Sequence, residues 1–312
     1  MRILVFGATG VVGRRAVPLM AAAGHDATAV GRNPERRAAL ERAGARVIEV
    51  DIFDRSGVER AVKGQDAVVN LTTHMPASTI RMMLPGAFRE NDRIRKEGSA
   101  IVAEAAAKAG VGRLIQESFA PVYDDGGDRW LDESALQRPV RYNRTVLDAE
   151  RSAQSFGRSG GDWVVLRFAW FYGPDSFLPE MVKVARKGWA PIPGDADAYW
   201  SSVSHDDAAS AVLASLAAPS GAYNVCDDEP LTRREVLDAM TDAFGLARVK
   251  PMPSWATPLM GSLGELMARS ERMSNRKLRG TGWAPRYPSA REGFRATASE
   301  LGAVPASGRA AA

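Results

Sequence analysis

The stretch that most limits the fold is "RILVFGATGVVGRRAVPLMAAAG", residues 2–24. An apolar strand, "RILVF", runs straight into a turn holding Gly7, Gly10 and Gly13, and the turn opens a helix closed by Gly24. Pro18 inside that helix predicts a kink or an early stop. Glycines at this spacing permit a tight turn and let an anionic group approach the backbone. The positive end of the helix then faces it. A strand–glycine turn–helix unit of this kind suits the pyrophosphate of a dinucleotide.

The next segments repeat the alternation. "ATAV", "RVIEV", "DAVVNL", "GRLIQES" and "DWVVLRF" read as further strands. "PERRAALERAG", with Pro34 in its first turn, "EGSAIVAEAAAKAG" and "TVLDAERSAQSFG" read as helices between them. Such alternation implies βαβ units, and hence a doubly wound, Rossmann-like α/β fold on a parallel sheet covered on both faces. After about residue 170 Pro and Gly become frequent, "SSVSHDDAASAVLASL" returns as a strand–helix piece, and "TRREVLDAMTDAFG" is an amphipathic helix capped by Thr232. The expected division is residues 1–170 as the dinucleotide domain and 171–312 as a smaller substrate lobe, with some elements returning to the main sheet. Trp200, Trp255, Trp283 and Met260 suit an apolar lobe, and the tail "VPASGRAAA" has nothing to bury.

Composition excludes several classes. The 41 basic and 37 acidic residues are interspersed, so the net charge of +4 makes no nucleic-acid footprint. One cysteine, Cys226, and three separated histidines, His25, His74 and His205, offer neither a disulfide framework nor a metal site. No apolar run reaches the roughly 18 residues that span a bilayer, and the N-terminus reads as a strand rather than a signal peptide. The expectation is a cytoplasmic protein with a small-molecule substrate, working as a monomer or homodimer.

The residues after the second strand address the choice of dinucleotide. A carboxylate there would hold ribose hydroxyls; this chain has Arg32, in "VGRNPERR". Arg14 follows the third glycine, and two guanidiniums converging on one place suit a 2′-phosphate, so NADP(H) is expected over NAD(H). Asp51, after the third strand, is placed to accept from the adenine amino group.

"GATGVVG", "DAVVNL", "GRLIQESFAPVY", "VVLRFAWFYGP", "SSVSHDDAASA" and "GAYNVCDDEPLT" together resemble the short-chain dehydrogenase/reductase superfamily, in its extended and atypical, epimerase/dehydratase-like branches. The resemblance covers most of the chain. It implies a cofactor site of Gly7, Thr9, Gly10, Val11, Val12, Gly13, Arg14, Arg32, Asp51, Ile52, Leu71, Thr72 and Phe168, the last, with Ala169, facing the nicotinamide. It also implies a Ser or Thr, a Tyr, and a Lys four residues after the Tyr. The tyrosine exchanges a proton with substrate, the lysine lowers the tyrosine pKa, and the hydroxyl orients the substrate oxygen.

Here that set is altered. "RYNRTVLDAE" reads as the start of a helix carrying Tyr142, but the lysine position is Val146. The hydroxyl position, four before Tyr123, is Phe119, with Ser118 one place early. A cation about 4 Å away at an effective dielectric of about 20 is worth roughly 4 kcal/mol to a phenolate. Arg141 and Arg144 project off the face shared by 142 and 146. A neutral phenol still donates in the reduction direction. Tyr142, Ser118, Tyr123 and Glu117 are the catalytic candidates. His74, after the fourth strand, is a further acid/base candidate, and Asp124, Asp125, Asp128, Asp132 and Glu133 form an acidic loop after the fifth strand. His205 suits a strand end or cap, Asp206 and Asp207 suit helix caps, and Arg167 suits a structural role. The leading reading is an atypical NADP(H)-linked oxidoreductase for a small or medium carbonyl or hydroxyl compound. The alternatives are an NADP(H)-sensing regulator without turnover, and a non-redox isomerase or lyase.

Overall fold

The computed structural model describes residues 1–31, 33–76, 79–82, 84, 86–190, 192–250, 257 and 260–303. Among them, seven strands form one parallel sheet. Its order is Gly221–Val225, Asp162–Phe168, Arg113–Phe119, Ala67–Asn70, Arg2–Phe6, Asp26–Val30 and Arg46–Ile48. This is the Rossmann-like α/β sheet expected from the alternation. The chain builds outward from Arg2–Phe6 in one direction, then returns to build in the other from Ala67–Asn70. The crevice at that reversal is where such sheets bind ligands.

Side-chain alternation feeds two cores. Ile3, Val5, Val69, Ile115, Val164 and Leu166 pack with Ala16, Val17, Ala208 and Val212 of helices Gly13–Ala22 and His205–Ala214. Leu4, Phe6, Val68, Leu114 and Val165 pack on the other face with Val58, Val102, Ala106 and Phe156 of helices Arg55–Val62, Ser99–Lys108 and Val146–Arg158. Strands buried on both sides are the reason the sequence reads as near-continuous apolar runs. A third core in the second half joins Leu178, Val182, Trp200, Val236, Leu237, Met240 and Phe294. Helix Arg233–Ala243 starts with the Thr232 cap, completed as a capping box by Glu235.

Several expectations are corrected. The first helix continues through Pro18 to Ala22. The return of Gly221–Val225 from the second half of the chain to the main sheet, beside Asp162–Phe168, is not among these corrections. Residues 141–145 form successive turns, and regular helix begins only at Val146, so Tyr142 precedes the helix that was expected to carry it. Buried Asn143 explains the delay. Its side chain accepts from the Val140 amide at 2.9 Å and donates to the Pro121 carbonyl, pinning the turn to the loop after the fifth strand. Trp283 donates to Ser210 and packs in the main-domain core instead of the substrate lobe. Trp200 lies in the second-half core, Met260 is half-buried, and Arg32, Trp255 and the tail from 304 lie outside the described residues.

Candidate active site

The glycine turn sits at the reversal point. Gly7 has φ +73°, and a Cβ there would lie 2.6 Å from the Leu71 carbonyl and 2.8 Å from the Thr72 nitrogen. A Cβ on Gly13 would collide with the Gly7 oxygen and with Ala8. Gly10 differs: it is exposed, and an added Cβ would meet only the Gly7 oxygen, at 3.2 Å. Gly7 and Gly13 are thus required by the protein's own packing, and Gly10 faces the open side. The helix that follows has no side-chain cap at Val12 and no acidic residue in its first turn, which leaves its positive end for an external anion. Thr72 Oγ1, beside Gly7, is buried with no hydrogen-bond partner among the described residues. A cradle without room for side chains, an uncapped helix and an orphaned hydroxyl fit a pyrophosphate and its ribose.

The other cofactor candidates are placed as follows. Thr9 and Val11 are half-buried, and Leu71 is buried against the turn. Asp51 is exposed and accepts from the Phe53 amide at 3.0 Å, while Ile52 is buried below it against Gly98. Phe168 is buried, its ring 5.4 Å from that of Phe171, and Ala169 beside it is fully buried. Arg14 does not turn toward the end of the second strand. It is ion-paired with Asp175, from the loop after the sixth strand, and Arg15 joins the same carboxylate at 2.9 Å. A cation over the turn was missed: Arg36 Nη1 donates to the Thr9 carbonyl at 3.4 Å. It sits in the first turn of helix Pro34–Arg42; nearby, a Cβ added to Gly31 would lie 2.8 Å from Thr9 Cγ2.

The catalytic candidates do not converge. Ser118 donates to Glu150 Oε1 at 2.6 Å, and Arg167 holds both oxygens of Glu150 at 2.7 and 2.8 Å. Arg167 also donates to the Tyr123 hydroxyl at 2.8 Å, and that hydroxyl donates to Asn224 at 2.7 Å. All five side chains are buried, so Ser118 and Tyr123 are tied into one hydrogen-bonded network. Burial pushes the Tyr123 phenol up, with Arg167 opposing. Glu117 is also consumed: Arg95 donates to its two oxygens at 3.1 and 3.2 Å, and both residues are buried. The acidic loop spends its carboxylates locally, Asp125 on the Gly127 and Ser270 amides, Asp132 on Ser134, Glu133 on the Asn224 amide. His74 is exposed. Ser204, not Asp206 or Asp207, caps the helix that His205 opens. His205 is buried, and burial lowers its pKa to about 4.

Tyr142 remains. It is half-buried, its ring edge-on to Phe88 at 4.4 Å. Burial pushes its phenol up, and Arg95 pulls it part of the way back. Val146, in the lysine position, is completely buried in the apolar core. Phe119, in the hydroxyl position, stands edge-on to Trp170 at 5.1 Å, and Trp170 stacks on Trp200 at 4.3 Å. Trp170 Nε1 donates to Glu271 at 3.0 Å, and burial raises that carboxyl to about 8. Where family members are expected to have a hydroxyl, this chain has Phe119, in an aromatic cluster with Trp170 and Trp200. Asn70, which bonds Gln116 at 2.9 Å and the Thr72 amide at 3.2 Å, was also missed; a polar residue ending the apolar run "AVVN" was the available signal.

Fold and cradle together define a dinucleotide-binding protein of the epimerase-like short-chain dehydrogenase/reductase type. The chain belongs to the NAD(P)H-binding family, which it matches over residues 7–219. It is 30% identical over 308 residues to a 3-diazoavenalumate denitrifying reductase from a Streptomyces species, covering 94% of this chain and 99% of that protein. It is 28% identical to a 2-alkyl-3-oxoalkanoate reductase from Stenotrophomonas maltophilia, covering 82% and 80%. Among solved structures it resembles the UDP-glucose 4-epimerase of Thermus thermophilus in complex with NAD, at 27% identity and TM-score 0.76 over 97% and 100% of the two chains. A human epimerase family protein with NADPH shares the fold at TM-score 0.81, with 21% identity over 96% and 100%. No helix among the described residues is long and apolar enough to cross a membrane.

Proposed function

We propose that the protein is an NADPH-dependent reductase of a small or medium carbonyl compound, with Tyr142 as a neutral proton donor. The observation that carries this reading is the pairing of an open, uncapped glycine cradle with a phenol that burial keeps protonated. Gly7, Gly10, Gly13 and the helix start would hold the pyrophosphate, Thr72 the nearby ribose, and Arg36 with Arg32 the 2′-phosphate. The bound dinucleotide supplies the hydride. Tyr142 gives its proton to the substrate oxygen. The reverse reaction needs a phenolate first, and a raised phenol pKa disfavours it at neutral pH. The Phe119–Trp170–Trp200 wall would face an apolar or aromatic part of the substrate, with residues 171–312 forming most of that side. The relatives named as reductases support turnover over a purely sensing role.

A second reading has its own support. A diazonium carbon that takes hydride releases dinitrogen and leaves no oxygen to protonate. A site with no lysine, and with its serine tied to Glu150, suits such an acceptor. It is also the substrate type in the name of the relative that matches over nearly the whole chain. The test is NADPH consumption with a panel of ketones, 3-oxoacids and arenediazonium carboxylates, run on the unmodified protein and on Tyr142→Phe. Loss of most ketone turnover with NADPH affinity preserved supports the tyrosine mechanism. Diazonium turnover indifferent to Tyr142→Phe, with no ketone turnover, selects the second reading. No NADPH consumption with any acceptor sinks both.

A further inference from the structure

We infer that Phe119 and Trp170 form a corner that holds a planar aromatic ring of the substrate, and that Trp170 is the residue that sets this preference. This rests on the reading of the protein as a reductase whose substrate lies along these rings.

The two side chains leave neighbouring strands at their carboxyl ends. Phe119 closes strand Arg113–Phe119 and is paired in register with Phe168, the last residue of strand Asp162–Phe168. Trp170 follows shortly after and opens the short strand Trp170–Tyr172. The carboxyl edge is where a parallel sheet binds its ligands, and Phe168 is the residue expected at the nicotinamide. The rings of Phe119 and Trp170 stand 5.1 Å apart at an interplanar angle of 85°. Both side chains are half-buried, so each keeps some surface open.

The corner is held rigid from its buried side. Trp170 stacks on Trp200 at 4.3 Å and 17°. Its Nε1 donates to Glu271 at 3.0 Å, which fixes the rotation of the indole. Trp200 is itself buried, with the Arg233 guanidinium over its ring at 5.4 Å. Glu271 and Arg233 are each 1% exposed, so neither presents a charge at the surface. The crevice is therefore offered two aromatic planes near a right angle, with little left to order on binding.

That shape favours one class of group. A ring face is electron-rich and its rim electron-poor, so aromatic pairs prefer stacked or edge-on contacts. In a right-angled corner a flat ring lies face-on to one side and edge-on to the other at once. A saturated chain buries area there and gains neither contact. With a ring at 119 in place of a hydroxyl, the reacting oxygen is left to Tyr142, and the corner holds the part of the substrate that does not react. An arenediazonium ion carries the same ring, so the corner serves either acceptor.

The test uses two methyl ketones of equal carbon count, benzylacetone and methyl octyl ketone. Fluorotryptophan is incorporated throughout the full chain, and the Trp170 resonance is assigned among the seven tryptophans by its loss in Trp170→Phe. With NADP⁺ bound, so that nothing turns over, benzylacetone should move that resonance through its ring current, and methyl octyl ketone should move it much less. Turnover gives the second readout, the ratio of kcat/KM for the aryl over the alkyl ketone. Phe119→Leu should lower this ratio about three- to ten-fold, the advantage of an aromatic pair beyond its buried area, and chiefly through KM. Trp170→Leu should lower it at least as far. Trp170→Phe, which keeps a ring, should hold it within about three-fold of the unmodified protein. If Trp170→Leu does not fold, Phe119→Leu decides. An unmoved Trp170 resonance, or an unchanged ratio in folded Phe119→Leu, overturns the corner, while continued NADPH consumption leaves the reductase reading standing. A Trp170 resonance that moves in a protein consuming no NADPH with ketones or arenediazonium ions supports the corner and overturns the reductase.

Discussion

The glycine turn and the corner where the fifth strand meets helix Val146–Arg158 both lie at the carboxyl ends of the sheet's strands and are built on opposite rules. At the turn the protein withholds its own groups. The helix start has no side-chain cap, Thr72 Oγ1 has no partner among the described residues, and Gly10 is open. At the corner it spends them. Ser118, Glu150, Arg167, Tyr123 and Asn224 satisfy one another, as do Arg95 and Glu117. Unspent polar groups mark a place reserved for a ligand. Satisfied, buried ones hold the fold together, and their chemistry is no longer free.

The comparison breaks first at Arg167. Arg167→Met leaves the Glu150 carboxylate buried without its partner, which typically costs about 3–5 kcal/mol. Urea denaturation measures it, and a loss below about 1 kcal/mol would mean the corner is not structural. Gly10 tests the other side. Gly10→Val should weaken NADPH binding by about a hundred-fold, near 2.7 kcal/mol, with little change in Tm. Gly13→Val, whose side chain would strike backbone, should instead fail to fold. Unchanged calorimetric affinity in a folded Gly10→Val protein would remove the turn as the pyrophosphate site.

Smaller effects sharpen the contrast. Arg36→Ala should cost NADPH about ten- to a hundred-fold, as expected for a charge-assisted contact of roughly 1.5–3 kcal/mol, and leave NADH nearly unaffected. Equal losses for both cofactors would assign Arg36 to the turn instead of the phosphate. The smallest is a slope. Glu271 is held up to about 8, against an ordinary 4.5, chiefly by burial. Its folded form keeps a proton that the unfolded chain has already released. It therefore contributes stability that is complete below about 4.5 and is lost as pH rises toward 8. Glu271→Gln still accepts from Trp170 and should flatten that decline, by on the order of 1 kcal/mol per pH unit. An identical pH–stability curve in the variant would rule it out.

The sheet was readable because it follows from local pattern. Apolar runs bounded by glycine turns and separated by helix-length segments define parallel strands whatever lies beyond them. Gly7, Gly10 and Gly13 were readable for the same reason, since the constraint on each arises within a strand–turn–helix unit of about twenty residues. Even the loss of the lysine at Val146 was legible, because it is a matter of spacing. The start of the helix after Tyr142 was not. Asn143 delays it by bonding to Pro121, a partner 22 residues away that no local propensity anticipates.

Which polar side chains remain available for chemistry was decided only when the chain closed on itself. Ser118 meets Glu150 across 32 positions, Tyr123 meets Asn224 across 101, and Arg95 meets Glu117 across 22. Arg14, singled out from the sequence, is claimed by Asp175, while Arg36, which the sequence reading passed over, lies over Thr9. Spacing along a strand or helix says which face a residue occupies. It does not say what stands opposite, and a buried ionisable group takes its character from that partner and from the water it has lost.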